Sequence, residues 1–390
     1  MSVDNLNNYK LNGYKLAIWG AGKNGVTFYN ILKKINLAID FFIDNDEEKW
    51  EKSIIDDIIC HAPNWLMGKE KTIVYICVPP DIYDIIYNQT KKIANVVNRD
   101  IDEILDDIIA NYQKEYLEIL EELPYIQSGE VFYRICKIGN LKKENYVPLY
   151  IENKENNNKI AVYTGVFGDY DRILEPLFIS DKLDYYYISD EKPSELKIYQ
   201  WIDAHNIIPS DVVTPIKRNR YIKMHPHMMF PDYKYSIYID GNVQITGDVT
   251  SLISESELGI AAFAHPIRDD IYFEALTIKN AGRVASYDVC RQMEKYMSEG
   301  MPAKYGLAEM RVIVREHNKQ SCIDVMKMWW EEFDNMAQRD QFSFMYSMWK
   351  NGRSMDDLII LGNNSRSCPL IKIVEHLKIS QNIVNEREVL

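Results

Sequence analysis

An acid and an amide that could take part in polar chemistry follow one strongly apolar stretch of the chain, with a glycine between them. Residues 235–239 combine aromatic and aliphatic side chains after a turn-forming segment, which predicts a buried strand, and Asp240, Gly241 and Asn242 follow directly. Ligands of open α/β sheets bind outside the carboxyl ends of strands, so an acid at this place is well positioned for chemistry. Because Asp, Gly and Asn are also common turn residues, a strand followed by a tight turn is the alternative.

A second group of residues suited to ligand binding lies near the start of the chain. The predicted strand 15–19 runs into Gly20-Ala-Gly22-Lys-Asn-Gly25, a helical pattern follows, and a second predicted strand ends on Asp44. This order is typical of dinucleotide-binding domains. The glycines would let the backbone approach a pyrophosphate, and Asp44 would accept hydrogen bonds from ribose hydroxyls. The motif predicts NAD(P) or another nucleotide as a cofactor, with a purely architectural glycine turn as the alternative.

The elements that position these residues are predicted to form two domains of the α/β class. At 390 residues the chain exceeds the usual size of one compact core. We predict a small Rossmann-like domain at residues 1–100, a connecting helix and linker at 101–158, and a mixed α/β domain at 159–390. The helix is predicted from regular apolar spacing over residues 101–123, and the boundary from a polar, asparagine-rich segment.

Composition excludes some classes of protein and favours others. The formal net charge of −13 disfavours a general nucleic-acid-binding protein, which needs a basic surface. The first ten residues lack the basic start and apolar core of a secretory signal, and no apolar run approaches the roughly 20 residues that cross a bilayer. The six cysteines show no Cys-x-x-Cys spacing, which argues against a disulfide framework and a structural zinc site. We expect a cytoplasmic protein without a transmembrane segment; peripheral membrane contact and homo-oligomer formation remain open.

Polar residues follow several further predicted strands of the second domain. The first strand enters a glycine-containing loop at 165–171, and the next strand ends at Ser189-Asp190. The strand at 259–263 is followed by a segment with polar side chains of opposite charge, which is unusual for a passive loop: His265, Arg268 and Glu274.

Two other polar features have a structural and a functional interpretation. His225 and His227 form a His-x-His pair, which can ligate a metal but is more often structural in a segment that contains proline. Asp340 stands at the start of an amphipathic helical pattern. Its structural interpretation is that it is merely the N-cap of this helix.

Seven segments occur in order across about residues 160–350: Val162-Tyr163-Thr-Gly-Val-Phe-Gly168-x-Tyr170-Asp171, Lys223-x-x-Pro226-His227, Phe230-Pro-x-Tyr233-x-Tyr235-Ser236-Ile-Tyr-Ile-Asp240-Gly241, His265-Pro266-x-Arg268, Tyr272-x-Glu274, Arg315-Glu316-His317 and Arg339-Asp340-Gln341. Together they resemble the glycosyltransferase-like family that includes plant mucilage-related and turgor-regulation-defect proteins. The resemblance implies a GT-A-like mixed α/β fold, in which the metal motif follows a central strand. The amino-terminal glycine motif and Phe42-Ile-Asp-Asn45 resemble small Rossmann-like domains of bacterial sugar-modifying and surface-polysaccharide enzymes.

The resemblance also implies roles for individual residues. Asp240 would be the principal ligand of a Mn or Mg ion, with Asn242 as a weaker neutral partner where the sequence departs from a strict Asp-x-Asp pattern. The nucleoside of the donor would lie near Tyr163, Thr164 and Asp190. Lys223 or Arg268 would meet the diphosphate. The residues implied to hold the acceptor hydroxyl or take its proton are Asp340, Glu274 and His265.

These observations favour a hexosyltransferase-type glycosyltransferase that moves a sugar from a nucleotide-sugar donor to a glycan or glycoconjugate acceptor. Divalent-metal assistance and a role in bacterial surface-polysaccharide biosynthesis are part of this hypothesis. The alternatives are an NAD(P)-dependent oxidoreductase that uses the amino-terminal glycine motif and a non-catalytic sugar-nucleotide-binding protein. A metal-dependent hydrolase of lipid amides also remains an alternative, although the chain has no Gly-x-Ser-x-Gly motif.

Overall fold

The computed structural model of the protein describes residues 2–67, 71–78, 80–99, 101–122, 160–168, 171–280 and 286–374. The helices in this part of the chain are α1 (Val3–Leu11), α2 (Lys23–Lys34), α3 (Pro80–Thr90), α4 (Ile101–Asn111), α5 (Gln113–Glu122), α6 (Pro215–Met224), α7 (Pro226–Met229), α8 (Ile271–Asn280), α9 (Ser286–Ser298), α10 (Gln320–Asn335) and α11 (Asp340–Lys350).

The strands alternate with these helices, as expected for an α/β protein. They are β1 (Lys15–Trp19), β2 (Phe41–Ile43), β3 (Lys52–Ile55), β4 (Ile58–His61), β5 (Thr72–Ile76), β6 (Val96–Arg99), β7 (Ile160–Gly165), β8 (Leu183–Ser189), β9 (Gln200–Asp203), β10 (Tyr235–Ile239), β11 (Val243–Ile245), β12 (Ile260–Ala264), β13 (Ala308–Arg315), β14 (Ile359–Ile360) and β15 (Ile371–Ile373).

The chain divides into two compact units. The first contains residues from 1–142 together with 270–305, and the second contains residues from 143–269 together with 306–390. The first unit therefore includes a segment that the sequence placed in the second domain. The predicted linker before residue 159 lies outside the described residues, as does the end of the predicted connecting helix. The described part of that helix is two helices, α4 and α5.

The first unit is built on a six-stranded sheet in the order β3-β4-β2-β1-β5-β6. All neighbouring strands are parallel except β3 and β4. Trp19 at the end of β1 is in register with Ile43 and Ile76, so the carboxyl ends of three strands lie at one edge of the sheet. This arrangement places the glycine turn after β1 and the acid after β2 next to each other.

The returning segment 270–305 supplies helices α8 and α9 to the first unit. Tyr116 on α5 donates a hydrogen bond to the carbonyl of Tyr272 over 2.9 Å, and Lys279 on α8 reaches the carbonyl of Glu121 over 2.6 Å. Tyr272 and Lys279, which both lie on α8, are buried. These contacts explain why the segment belongs to the first unit although it is distant in sequence.

The second unit is built on a seven-stranded mixed sheet in the order β14-β12-β13-β10-β7-β8-β9. Strands β7, β8, β9 and β10 are parallel neighbours, whereas β13 runs antiparallel to both β10 and β12. Strand β10 is buried along its whole length, as its apolar sequence predicts. The predicted α/β class with mixed strand directions is therefore confirmed.

Helices α10 and α11 cover part of this sheet with their aromatic faces. Trp329 and Phe344 are fully buried and meet edge to face, with ring centroids 5.0 Å apart. Strand β11 pairs with β15 in a separate two-stranded sheet. Across the described residues, none of the helices combines the length and apolar character needed to cross a membrane.

Candidate active site

Asp240 directly follows the central strand β10 and begins a turn. Its backbone N–H donates to the carbonyl of Arg311 over 2.8 Å, and its own carbonyl accepts from Val243 N–H over 2.9 Å. A Cβ atom on Gly241 would lie 2.7 Å from a methyl carbon of Val166, so only glycine fits beside the loop after β7. The turn and the exposed acid thus coexist: the backbone forms the turn, and the Asp240 side chain remains 24% exposed.

Lys223 joins Asp240 to a second acid that is distant in sequence. Its side chain is 1% exposed, and its Nζ lies 3.3 Å from Asp240 Oδ1 and 2.7 Å from Asp340 Oδ2. A buried ammonium group needs such partners because removing it from water costs several kcal/mol. We call these three residues, Lys223, Asp240 and Asp340, the acid–lysine cluster.

Aromatic rings enclose the ammonium group of Lys223. Its Nζ lies 5.1 Å from the centroid of the Tyr238 ring and 6.0 Å from that of the Trp329 ring, distances typical of cation–π contacts. Tyr238 also donates a hydrogen bond from its hydroxyl to Asp240 Oδ1 over 3.0 Å. Burial and the neighbouring Asp240 charge raise the pKa of Tyr238 well above its usual value, so this hydroxyl keeps its proton.

Asp340 is the first residue of α11, and Arg339 occupies the N-cap position. The predicted N-cap alternative is therefore wrong. Burial raises the pKa of Asp340, but the positive charges of Arg220, Lys223 and Arg339 outweigh this effect and hold the pKa well below its usual value. Arg220 Nε lies 2.9 Å from Asp340 Oδ2. Asp340 is consequently a carboxylate at neutral pH and a weak proton acceptor.

Arg315 positions Lys223, a role that motif analysis did not identify. It is almost fully buried at the end of β13, and its Nη1 donates to the backbone carbonyl of Lys223 over 2.6 Å. Its Nη2 donates to the hydroxyl of Tyr163 over 2.6 Å. The signal available in the sequence was a charged residue that ends the apolar run of β13.

Tyr163 and Thr164, predicted to lie near a nucleoside, belong to the buried part of β7. Tyr163 is fully buried, its hydroxyl donates to the carbonyl of Ile222 over 3.2 Å, and burial raises its pKa to about 12. Thr164 is 5% exposed. The structure therefore gives Tyr163 a structural role beneath α6. Asp190, at the end of β8, forms an ion pair with Arg218 of α6.

Asn242 and His265 each make hydrogen bonds that restrict their chemistry. The amide nitrogen of Asn242 donates to the carbonyl of Val374 over 3.2 Å, which leaves the amide oxygen as its possible metal ligand. His265 Nδ1 accepts from the backbone N–H of Arg268 over 3.0 Å. In its neutral form His265 therefore carries its proton on Nε2 and presents a donor there.

Glu274 lies in the first unit, whereas the acid–lysine cluster and His265 lie in the second. It occupies the first turn of α8 and is 3% exposed. The three residues predicted to act on the acceptor, Asp340, Glu274 and His265, are thus divided between the units. Arg268 stays in the second unit, where its side chain is 5% exposed.

His225 of the His-x-His pair and the nearby His317 are buried in the second unit, whereas His227 is only partly buried. The His225 ring stacks on Tyr221 with centroids 4.0 Å apart, and His317 Nε2 lies 2.8 Å from the carbonyl of Phe230. Burial lowers the pKa of both His225 and His317 to about 4. They are neutral side chains with structural contacts, as the structural interpretation of the pair predicts.

The glycine turn of the first unit has clear packing requirements at two positions. A Cβ atom on Gly20, which has φ of +115°, would lie 2.5 Å from the carbonyl oxygen of Cys77, and one on Gly25 would lie 1.8 Å from that of Gly20. A Cβ atom on Gly22 would meet nothing within 4 Å. Asp44 Oδ2 accepts a hydrogen bond from the backbone N–H of Ala21 over 2.7 Å. The acid thus supports the turn directly.

A divalent ion could be held in the second unit by protein groups together with groups of a bound substrate. The described ranges contain no group of three or more His, Cys, Asp or Glu side chains that could hold a metal. Magnesium, however, is commonly bound by one or two carboxylates together with substrate phosphates. Among the described residues, Lys223 and Tyr238 donate to the Asp240 carboxylate, both at Oδ1, and its partial exposure leaves the carboxylate accessible. Asp240 therefore fits this limited type of metal binding.

The fold and the cluster define an α/β domain with a candidate ligand site at the carboxyl end of a central strand. Sequence comparison then gives the family. Residues 149–376 match the family described as TOD1/MUCI70, glycosyltransferase-like domain, and the chain belongs to this family. The resemblance noted from the ordered motifs is thereby confirmed.

Two curated relatives come from Arabidopsis thaliana. The chain is 28% identical over 219 residues to the probable hexosyltransferase MUCI70, which covers 47% of this chain and 36% of that protein. It is 23% identical over 222 residues to the alkaline ceramidase TOD1, which covers 48% of this chain and 47% of that protein. The chain thus spans less than half the length of the curated relatives it matches.

Among solved structures, similarity is distant. The apo structure of the bifunctional glycosyltransferase WbbM has a TM-score of 0.33 at 12% identity and covers 54% of this chain and 40% of its own. Mouse xyloside xylosyltransferase 1 has a TM-score of 0.33 at 11% identity and covers 52% of this chain and 85% of its own.

Proposed function

We propose that the second unit is a glycosyltransferase that moves a hexose from a nucleotide-sugar donor to a glycan or glycoconjugate acceptor. The observation that carries this proposal is the acid–lysine cluster at the carboxyl end of β10, in a chain of a glycosyltransferase-like family. Its accessible carboxylate, held in place by the buried Lys223, is suited to a divalent cation that would neutralise a diphosphate whose negative charge grows as the sugar departs. The relative named as a probable hexosyltransferase supports the choice of a hexose.

Asp240 would contact the donor, and Lys223 and Asp340 would position it. Lys223 holds Asp240 from the protein side, while Asp340 neutralises Lys223 together with Arg220. The low pKa of Asp340 makes it better suited to this electrostatic role than to removing a proton from the acceptor. We therefore assign Asp340 as a positioning residue for Lys223.

We further propose that Mg²⁺ or Mn²⁺ assists transfer, held by Asp240 and the amide oxygen of Asn242 together with the donor diphosphate. Such an ion supplies positive charge to the leaving diphosphate. The remaining finer assignments are a cytoplasmic location and a role in bacterial surface-polysaccharide assembly. The location is proposed from the cysteine spacing and the composition of the first ten residues, and the role in polysaccharide assembly from the resemblance of the amino-terminal glycine motif to domains of such enzymes.

Thermal unfolding with a panel of sugar nucleotides tests this function. At 100 times its dissociation constant, a bound donor should stabilise the protein by about 2.7 kcal/mol. We expect this stabilisation with Mn²⁺ or Mg²⁺, its reduction by a chelator, and its loss in Asp240→Asn. Asp248→Asn is the matched control, because the Asp248 carboxylate accepts local hydrogen bonds from the backbone N–H and the hydroxyl of Thr250.

Two results would count against the transferase. One is the absence of stabilisation by every sugar nucleotide, with or without metal. The other is release of a fatty acid from ceramide, dependent on Asp240, without any sugar transfer, which would indicate the activity named for the second curated relative. Stabilisation that survives Asp240→Asn would instead place the donor elsewhere and refute the assigned site.

A further inference from the structure

A cavity in the first unit lies next to the glycine turn and is separate from the acid–lysine cluster. Its volume is about 450 Å³, within the range of small-molecule sites. Its aromatic and amide walls include Trp19, Trp50, Asn45, Asn64 and Gln89, and among the described residues none that lines the cavity is charged.

Covalent and hydrogen-bonded contacts join this cavity to the glycine turn and to Asp44. Trp19 directly precedes Gly20, and Asn45 directly follows Asp44. The indole N–H of Trp50 donates to the backbone carbonyl of Asp44 over 2.8 Å, and Asp44 in turn accepts from the turn at Ala21. The cavity therefore adjoins the acid and the turn near the carboxyl ends of β1 and β2, although neither Asp44 nor a glycine of the turn lines it.

The chemistry of the lining specifies the kind of group that it would hold. Two indole rings favour a flat aromatic ring, and amide side chains can donate and accept hydrogen bonds at its edge. The absence of charge in the lining favours a neutral ring. A group attached to this ring would leave the cavity past Asp44, which accepts hydrogen bonds, towards the turn at Gly22, where no side chain fills the space.

We propose that the first unit binds a nucleoside diphosphate, with its base in the cavity, its ribose at Asp44 and its phosphates at the glycine turn. The open space at Gly22 accommodates a phosphate in the place where an added Cβ would meet no protein atom. The site lies wholly within the first unit and does not depend on the function proposed for the second. The ligand is either a free nucleoside diphosphate or the corresponding half of a dinucleotide.

Isothermal titration calorimetry of the full chain tests the proposal. The titrations use a chain that carries Asp240→Asn, which removes the principal donor contact of the second unit, with ADP, UDP, GDP and NAD⁺ as probes. We expect one saturable site for at least one probe. Tighter binding of NAD⁺ than of ADP would identify the ligand as a dinucleotide. Equal or weaker binding of NAD⁺ than of ADP would identify it as a free nucleoside diphosphate.

Two tryptophan variants locate the bound base. Trp50→Ala should raise the dissociation constant at least about tenfold, as expected for loss of a base–aromatic contact. Trp65→Ala is the matched control, because Trp65 is 40% exposed, stacks on His61 and is not part of the cavity lining. It should leave the constant unchanged.

Asn45→Ala serves if Trp50→Ala fails to fold, since Asn45 is exposed and lines the same cavity. It should also weaken binding. No saturable binding of any probe to the Asp240→Asn chain would overturn the proposal. Equal weakening of probe binding by the cavity variant and by Trp65→Ala would also overturn the proposal. Neither result bears on sugar-nucleotide binding by the second unit, which is measured through Asp240.

Discussion

Replacement of Asp340 by Asn tests whether the acid–lysine cluster holds the second unit together. The substitution keeps the size of the side chain, but buried Lys223 loses the nearer of its two carboxylates, at 2.7 Å. Asp240 remains at 3.3 Å. Removing one partner of a buried ion pair costs about 3–5 kcal/mol, and the remaining carboxylate places the expected loss near 3 kcal/mol.

Thermal unfolding measures this loss. For a domain of this size, a loss of about 3 kcal/mol lowers the melting temperature by roughly 6–12 °C. Because the two units can unfold separately, hydrogen exchange of α11 should be followed alongside, with α2 of the first unit as the internal reference. The matched control is Glu257→Gln, which removes a carboxylate that lies 2.8 Å from Arg353 but is 82% exposed. A surface pair of this kind contributes at most about 1 kcal/mol.

A second substitution separates the ion pair from other effects of Asp340→Asn. Adding Lys223→Met removes the unpaired ammonium group and places an apolar side chain against Tyr238 and Trp329, so part of the lost stability should return. If Asp340→Asn is no more destabilising than Glu257→Gln, the buried ion pair does not stabilise the unit. Because the folded-state pKa of Asp340 is lowered, its contribution is complete above the unfolded-state value near 4 and is lost only as the pH falls below it.

Two further predictions concern packing and pH. Gly25→Ala should destabilise the first unit by about 1–3 kcal/mol, because its Cβ would lie 1.8 Å from the Gly20 carbonyl oxygen, whereas Gly22→Ala should unfold at nearly the wild-type urea concentration. Equal midpoints for the two variants would contradict this account of the turn. The pKa of His317 is lowered to about 4 by burial, so His317 should contribute a fall in stability of about 1 kcal/mol per pH unit as the pH drops from 6.5 towards 4, and His225, whose pKa is lowered to a similar value, should add its own contribution. His317→Gln keeps a donor for the Phe230 carbonyl and should make the pH dependence of the melting temperature less steep by the share of His317 alone; an unchanged slope would refute this origin.

Local patterns were sufficient to predict the strand and turn around Asp240. Strand β10 was predicted from the aromatic and aliphatic residues at 235–239; all five positions are buried, and the acid lies at the carboxyl end of the strand as expected. This prediction succeeded because burial on both faces of a central strand requires a continuous apolar sequence.

The acid–lysine cluster could not be built from such patterns. Lys223 and Asp340 are 117 residues apart, and their 2.7 Å contact depends on how α6 and α11 pack over the sheet. Sequence analysis selected both residues but assigned Lys223 to a diphosphate and Asp340 to the acceptor. Neither assignment anticipated that the two charges would neutralise each other in a buried place, because burial is a property of the packed chain.

For a related reason, sequence patterns did not indicate that residues 270–305 belong to the first unit. Helix α8 follows the polar segment after β12 without a break in composition, so nothing local marks its return to the first unit. Its membership depends on specific contacts, such as the hydrogen bond from Tyr116 to the Tyr272 carbonyl. Glu274 was consequently grouped with His265, nine residues earlier in the sequence, although the two residues belong to different units.

The glycine motif alone does not distinguish a turn required by packing from a turn that binds a nucleotide. Gly20 and Gly25 are required by the protein itself, because a side chain at either position would collide with a backbone carbonyl. These two glycines would therefore be present with or without a nucleotide. Gly22 is different, since the space beside it is open. The argument for a ligand in the first unit thus rests on this open position, on Asp44 and on the adjacent cavity, and the two packed glycines add nothing to it.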